Sequence, residues 1–228
     1  GCPQLTKGYG KEEAQNAIEM VDANALMIHV NPLQESVQLE GETNFRDSLD
    51  KIREIAHEVD VPVIVKETGA GISREVARAV ERIGVDGIDV AGAGGTSWAA
   101  VEYHRAREMR NRVRERLGKT FWSWGIPTAA SVIEVTKSTG LTAIASGGIR
   151  NGLHIAKAIA LGGKAAGLAL PALRSAVIGG RDLREMLSLM IEELKTAMFL
   201  TGSRDLNQLA KAPLVITGEL YRWLEQRG

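Results

Sequence analysis

Cysteine is nearly absent: Cys2 is the only one in 228 residues. No internal disulfide is possible, so a reducing compartment, the cytoplasm, is the expected location. Net charge is missing as well, because Lys plus Arg and Asp plus Glu each number 28. A balanced chain of this kind offers no electrostatic footprint for nucleic acid and no polybasic patch for a membrane surface. No apolar run approaches the roughly 20 residues of a membrane span, and no signal-peptide pattern is visible. An initiator Met is also lacking, and the opening Gly1-Cys2-Pro3-Gln4 reads as a loop just after a strand. What is left, 44% hydrophobic and 25% charged, is ordinary globular composition. The length suits one large α/β domain or two small ones, and a single domain over residues 1–228 is the reading adopted.

Apolar runs alternate with helical periodicity. Strands are expected at residues 25–29, 61–67, 87–90, 141–145 and 165–169. The second, Val61-Pro62-Val63-Ile64-Val65-Lys66-Glu67, is β-branched throughout, as a strand of a parallel sheet buried on both faces should be. Helices are expected over 11–20, 45–59, 73–83, 98–117, 128–137, 153–161 and 181–200, with one more short helix after 206. Ser73 is the N-cap of the third. Residues 119–127 read as an irregular aromatic loop. Strands alternating with helices imply parallel pairing and right-handed crossovers. The expected fold is α/β, a (β/α)8 TIM barrel, with a doubly wound open sheet as runner-up. Five strands are visible where a closed barrel has eight, so an incomplete barrel holding strands 4–8 is expected.

The polar residues collect where strands end. His29-Val30-Asn31-Pro32-Leu33-Gln34-Glu35 delivers an imidazole, two amides and a carboxylate into one turn. Glu35 suits Mg²⁺, which often takes one or two carboxylates and completes its shell with water and phosphate. A core histidine followed by a structural Pro turn would account for the same residues. Lys66 on an inner rim suits a ring system carrying negative charge; a Lys66–Glu67 pair is the plainer alternative. The loop Ala91-Gly92-Ala93-Gly94-Gly95-Thr96-Ser97-Trp98 presents bare backbone and two hydroxyls, although Thr96 or Ser97 could simply cap a helix. Ser146-Gly147-Gly148-Ile149-Arg150, followed by Ala169-Leu170-Pro171, suits a phosphate held between the last two βα loops of a barrel. A plain turn before a helix would use the same glycines. The alternating Arg and Glu of 102–116 read as a solvated face. Trp122 and Trp124 form a lid or wall, or pack between helices.

Taken together, His29 to Glu35, Val65-Lys66-Glu67, Asp89 to Trp98, Trp124-Gly125-Ile126-Pro127-Thr128 and Ala145 to Gly152 resemble the type 2, FMN-dependent isopentenyl-diphosphate isomerases. Those enzymes of isoprene biosynthesis are (β/α) barrels. They interconvert isopentenyl and dimethylallyl diphosphate with reduced FMN, Mg²⁺ and, as reductant, NADPH. The resemblance implies that Lys66 and Thr96 contact FMN, and that Gly148, Ile149 and Arg150 with Ala169 and Leu170 hold its phosphate end. It further implies that Gln34 binds the diphosphate substrate with His29 and Asn31 beside it, and that Glu35 binds the metal. A homo-oligomer is the expected state.

Two substitutions depart from the family pattern: Ala91 stands where some relatives carry a flavin-contacting Ser, and Val30 replaces a common Leu. Family members are also longer at the N-terminus, where the first three strands and an Arg-Lys pair for the diphosphate lie. Two other functions fit less well. An FMN-dependent hydroxy-acid oxidoreductase needs a histidine base near the flavin, and none precedes Ser146. A non-catalytic barrel fragment would fold only on association.

Overall fold

A computed structural model describes residues 1–227. Its elements, in chain order, are α1 (Cys2–Thr6), α2 (Lys11–Met20), β1 (Leu26–His29), α3 (Pro32–Val37), α4 (Ser48–Glu58), β2 (Val63–Lys66), α5 (Arg74–Glu81), β3 (Gly87–Asp89), α6 (Trp98–Glu108), α7 (Arg112–Thr120), α8 (Thr128–Ser138), β4 (Thr142–Ala145), α9 (Gly152–Ala160), β5 (Ala165–Ala166), α10 (Leu170–Ile178), α11 (Gly180–Leu200), α12 (Leu206–Leu209) and α13 (Gly218–Arg227).

The five strands form one parallel sheet in the order β1-β2-β3-β4-β5. A doubly wound sheet reverses its order at a switch point. This one never does, so right-handed crossovers lay every helix on the same side. That winding belongs to a (β/α) barrel, here partial, and the open-sheet alternative falls.

Parallel partners share a face. One row, Ile28, Val65, Ile88 and Ala143, runs across β1 to β4. These side chains are buried in the main core with Ile52 and Ile55 of α4, Ala77 and Val80 of α5, and Val132 and Val135 of α8. Each fully buried Val or Ile contributes about 1.5–3 kcal/mol. The opposite face carries Met27, Ile64, Gly87 and Thr142 in one row, and His29, Lys66, Asp89, Ile144 and Ala165 in the next. Among the described residues no helix covers it: Met27 is 44% exposed and Ile64 half-buried. The two-sided burial expected of β2 therefore holds on the helix side alone.

Several boundaries differ from expectation. The helix expected over 98–117 breaks at Met109–Asn111, where Arg110 takes φ +57° and the Asn111 side chain caps α7 by accepting from the Arg114 N–H at 3.1 Å. Gly118 then lets α7 fold back on α6, because an added Cβ would lie 2.8 Å from the Ala99 carbonyl. α3 and α10 are helices where turns were expected. The opening residues form α1 rather than a loop, and two helices, not one, follow residue 206. β5 is shorter than the 165–169 run because it pairs on one side only. Along α11 only Met190 is fully buried; Leu183, Met186, Leu194 and Met198 are half-buried, and Leu187 and Ile191 are exposed. Ser73 caps α5 as expected, accepting from the Val76 N–H.

The C-terminal helix is held by one buried carboxylate. Glu134 of α8 accepts from Trp223 Nε1 (2.7 Å), Arg227 Nε (2.9 Å) and the Arg74 N–H (2.9 Å). Arg227 also bridges to Glu75 of α5 at 2.7 Å.

Candidate active site

β1 and β2 end together, and their last residues, His29 and Lys66, are register partners on the uncovered face. Asp89 continues the row on β3. The alternation that turns Lys66 inward turns Glu67 away. Glu67 is buried, and its Oε2 accepts from the N–H groups of Thr68, Gly69 and Ala70. Burial nevertheless pushes its carboxyl up, outweighing those N–H donors. Lys66 Nζ donates to the Glu67 carbonyl at 2.6 Å, so the pair is joined through backbone, not as an ion pair. Burial holds the His29 imidazole below its ordinary value. The N-terminal ammonium and Lys66 push the same way, against Glu35.

Asn31 begins α3 and Pro32 occupies its first turn, where a missing N–H costs nothing. One turn of helix therefore brings Asn31, Gln34 and Glu35 together. Asn31 Nδ2 donates to Gln34 Oε1 (3.1 Å) and Glu35 Oε1 (2.9 Å). Glu35 Oε2 accepts from Gln38 Nε2 and the Glu42 N–H, both at 2.7 Å. A carboxylate offers about four lone-pair sites, which leaves one open. Asn31 Oδ1 is buried and has no partner among the described residues. Flipping the amide would set that oxygen against two others, so the orphan follows from the network. Among the described residues no group of three or more His, Cys, Asp or Glu side chains stands ready to hold a metal. The oxygens at hand are one carboxylate and one orphaned amide, a set suited to Mg²⁺ and short of what Zn²⁺ uses.

Gln34 also shows what the sequence reading missed. It lies on α3, which packs on α6, whose Glu102 is 2% exposed and pushed up by burial against the pull of Arg105. Arg105 bonds Glu102 at 2.7 Å and Glu40 at 2.6 Å, and Arg114 donates to the Ser36 carbonyl. Part of the expected solvated Arg/Glu face thus clamps α3. The i,i+3 spacing of Glu102 and Arg105 is visible in the sequence, but Glu108 stands at the same spacing from Arg105, so it does not single Glu102 out. Gln34 shares a crevice with Thr68, Gly69, Trp98 and Trp124. Trp124 is therefore a wall, whereas Trp122 packs edge-on against Tyr103 and His104.

The two glycine loops interlock. Gly147 and Gly148 have φ of +99° and +84°, and an added Cβ would lie 2.2 Å from the Gly92 carbonyl oxygen and 2.1 Å from that of Gly94. Each loop needs the other's glycines bare; the closeness serves loop against loop before any ligand. Thr128 Oγ1 donates to the Gly147 carbonyl at 2.5 Å. Arg150 donates to the carbonyls of Gly148 and Gly94, both at 2.9 Å, and keeps three of its five N–H donors. Gly148, Ile149 and Arg150 line a cavity of about 290 Å³ with Thr128, His154 and Lys157. Ala169 and Leu170 do not line it; they stand exposed past β5. Ser97 caps α6 through the Ala100 N–H at 3.2 Å, and Thr96 is exposed beside it.

The FMN-dependent dehydrogenase family matches residues 10–216. The isopentenyl-diphosphate delta-isomerase of Methanosarcina mazei is 54% identical over 228 residues, which are 100% of this chain and 62% of that protein. The protein of the same name from Pyrococcus furiosus is 49% identical, covering 100% of this chain and 58% of its own length. The chain thus spans about three-fifths of the length of these curated relatives. Among solved structures, mandelate oxidase superposes with a TM-score of 0.60 at 22% identity, over 87% of this chain and 58% of that one. GMP reductase of Trypanosoma brucei gives 0.61 at 20%, over 91% and 44%. At such identities the shared property is the fold.

Proposed function

Because this chain belongs to the FMN-dependent dehydrogenase family, we propose that it forms the larger part of the barrel of an isopentenyl-diphosphate delta-isomerase that works with FMN and Mg²⁺. The observation that carries this reading is the single row on the uncovered face, His29 beside Lys66, from which the Asn31–Gln34–Glu35 cluster rises.

Lys66 supplies a cation at the floor, suited to charge on a flavin ring. Thr96 suits a contact to the cofactor, and the Gly148 and Ile149 backbone with the remaining Arg150 donors suits its phosphate; Ala169 and Leu170 stand exposed outside that cavity. When bound, FMN kept reduced by NADPH would supply proton transfer at the allylic carbons without net redox change. Glu35, with the orphaned Asn31 oxygen, would hold Mg²⁺, which would supply positive charge for the substrate diphosphate. Gln34, held by Asn31, orients the substrate, and a neutral His29 completes that wall. Such a site needs few acid–base side chains of its own, and few stand in it. Among the described residues no helix is long and apolar enough to cross a membrane.

The test is a titration of FMN with this chain, followed by flavin fluorescence, beside an assay of the whole protein with isopentenyl diphosphate, Mg²⁺ and reduced flavin. Saturable binding and formation of dimethylallyl diphosphate are expected. A whole protein that never binds FMN, or that turns over 2-hydroxy acids instead, would sink the reading. Sedimentation of the chain tests the homo-oligomer, and an aggregate without flavin affinity would favour a fragment that folds only on association.

A further inference from the structure

We propose that Asp89 is the positioning residue of the paired glycine loops, setting their geometry through Ser146 and Ala91. The inference rests on the flavin reading above. Asp89 is 7% exposed, although it stands on the face no helix covers. Its Oδ1 accepts from Ser146 Oγ at 2.5 Å and from the Ala91 N–H at 3.3 Å. Ser146 roots one glycine loop and Ala91 the other. A third bond closes the junction: the Gly92 N–H donates to the Ser146 carbonyl at 2.9 Å.

Ala91 shows what the carboxylate achieves. Its φ is +35°, a conformation that a residue with a Cβ adopts at a cost of about 1–3 kcal/mol. Such strain persists only where surrounding bonds over-determine it. The Asp89 carboxylate lies two residues upstream, the spacing at which an aspartate fixes a turn of its own chain. Beyond that turn, Gly94 and Gly95 meet Gly147 and Gly148 with no room for a Cβ. A small shift at Ala91 or Ser146 is therefore passed to both loops at once. Lys66 is the register partner of Asp89, but its Nζ is tied to the Glu67 carbonyl. Loss of Asp89 should thus disturb the phosphate end of a flavin site and spare the ring end.

The experiment compares FMN with riboflavin, which lacks the phosphate, on the unmodified chain and on the variants Asp89→Ala, Asp89→Asn and Ser146→Ala, by flavin fluorescence. Asp89→Ala should weaken FMN at least about tenfold and riboflavin less than about twofold, in line with loss of charge-assisted bonds at one end only. Asp89→Asn, which keeps an acceptor oxygen, should hold FMN within about threefold of the unmodified chain, and Ser146→Ala should fall between. Equal losses of FMN and riboflavin, or an Asp89→Asn variant as weak as Asp89→Ala, would overturn the positioning role. An unmodified chain that binds neither flavin would overturn the flavin reading itself, a result distinct from either.

Discussion

The two faces of the sheet obey different rules. On the helix side, Val65 and Ile88 are fully buried and the row is apolar from β1 to β4. On the other side, His29, Lys66 and Asp89 share a row with Ile144, and Met27 and Thr142 are exposed. One face stabilises the fold and the other carries polar groups. The difference teaches that stability and chemistry can be altered nearly independently here.

The sharpest way to break that comparison is truncation on each face. Ile88→Ala should cost about 2–5 kcal/mol and Ile64→Ala less than about 1.5 kcal/mol, read by urea denaturation. Equal losses would mean that the faces are equivalent. Next, Glu134→Ala should cost about 2 kcal/mol by removing the carboxylate that accepts from Trp223 Nε1, Arg227 Nε and the Arg74 N–H, with Glu75 still holding Arg227. On the site side, Lys66→Ala should weaken FMN about tenfold yet change stability by less than about 0.5 kcal/mol; a variant that unfolds instead would make Lys66 a core residue.

Acid should separate α13 from the barrel helices. Arg227 holds the Glu75 carboxyl down at about 2. Burial pushes Glu134 up, but its bonds from Arg227, the Arg74 N–H and Trp223 prevail and hold it low. Depressed carboxyls contribute stability that is complete above their unfolded value, about 4.3, and lost as pH falls through the folded one. Faster hydrogen exchange in α13 than in α5 is expected below about pH 4. The smallest effect concerns His29. Its lowered value favours the neutral ring in the folded chain, so its contribution is present above about pH 6.5 and lost as pH falls through the folded value. An NMR titration of the imidazole should show a midpoint below the ordinary histidine value of about 6.5.

Much of the site was legible because strands here end abruptly in polar residues. His29, Lys66 and Asp89 each close a strand, and Asn31, Gln34 and Glu35 follow within one turn. Period-two alternation then separates Lys66 from Glu67 without further information. Glu102 was not legible. On a helix rich in Arg and Glu nothing local marks the one carboxylate that α3 will cover. The glycines of the two loops were visible as glycines, but their reason, mutual contact across residues 92–95 and 147–148, depends on a distant partner.

The sequence alone determined the order of the five strands and the positions of their polar ends, because periodicity and strand termination are local properties of the chain. Tertiary structure decided which carboxylates became buried acceptors, where α6 and α7 part, and which face of the sheet stayed bare. Those outcomes turn on what packs against what, and residues 50 or more apart settle that only once the crossovers have brought them together.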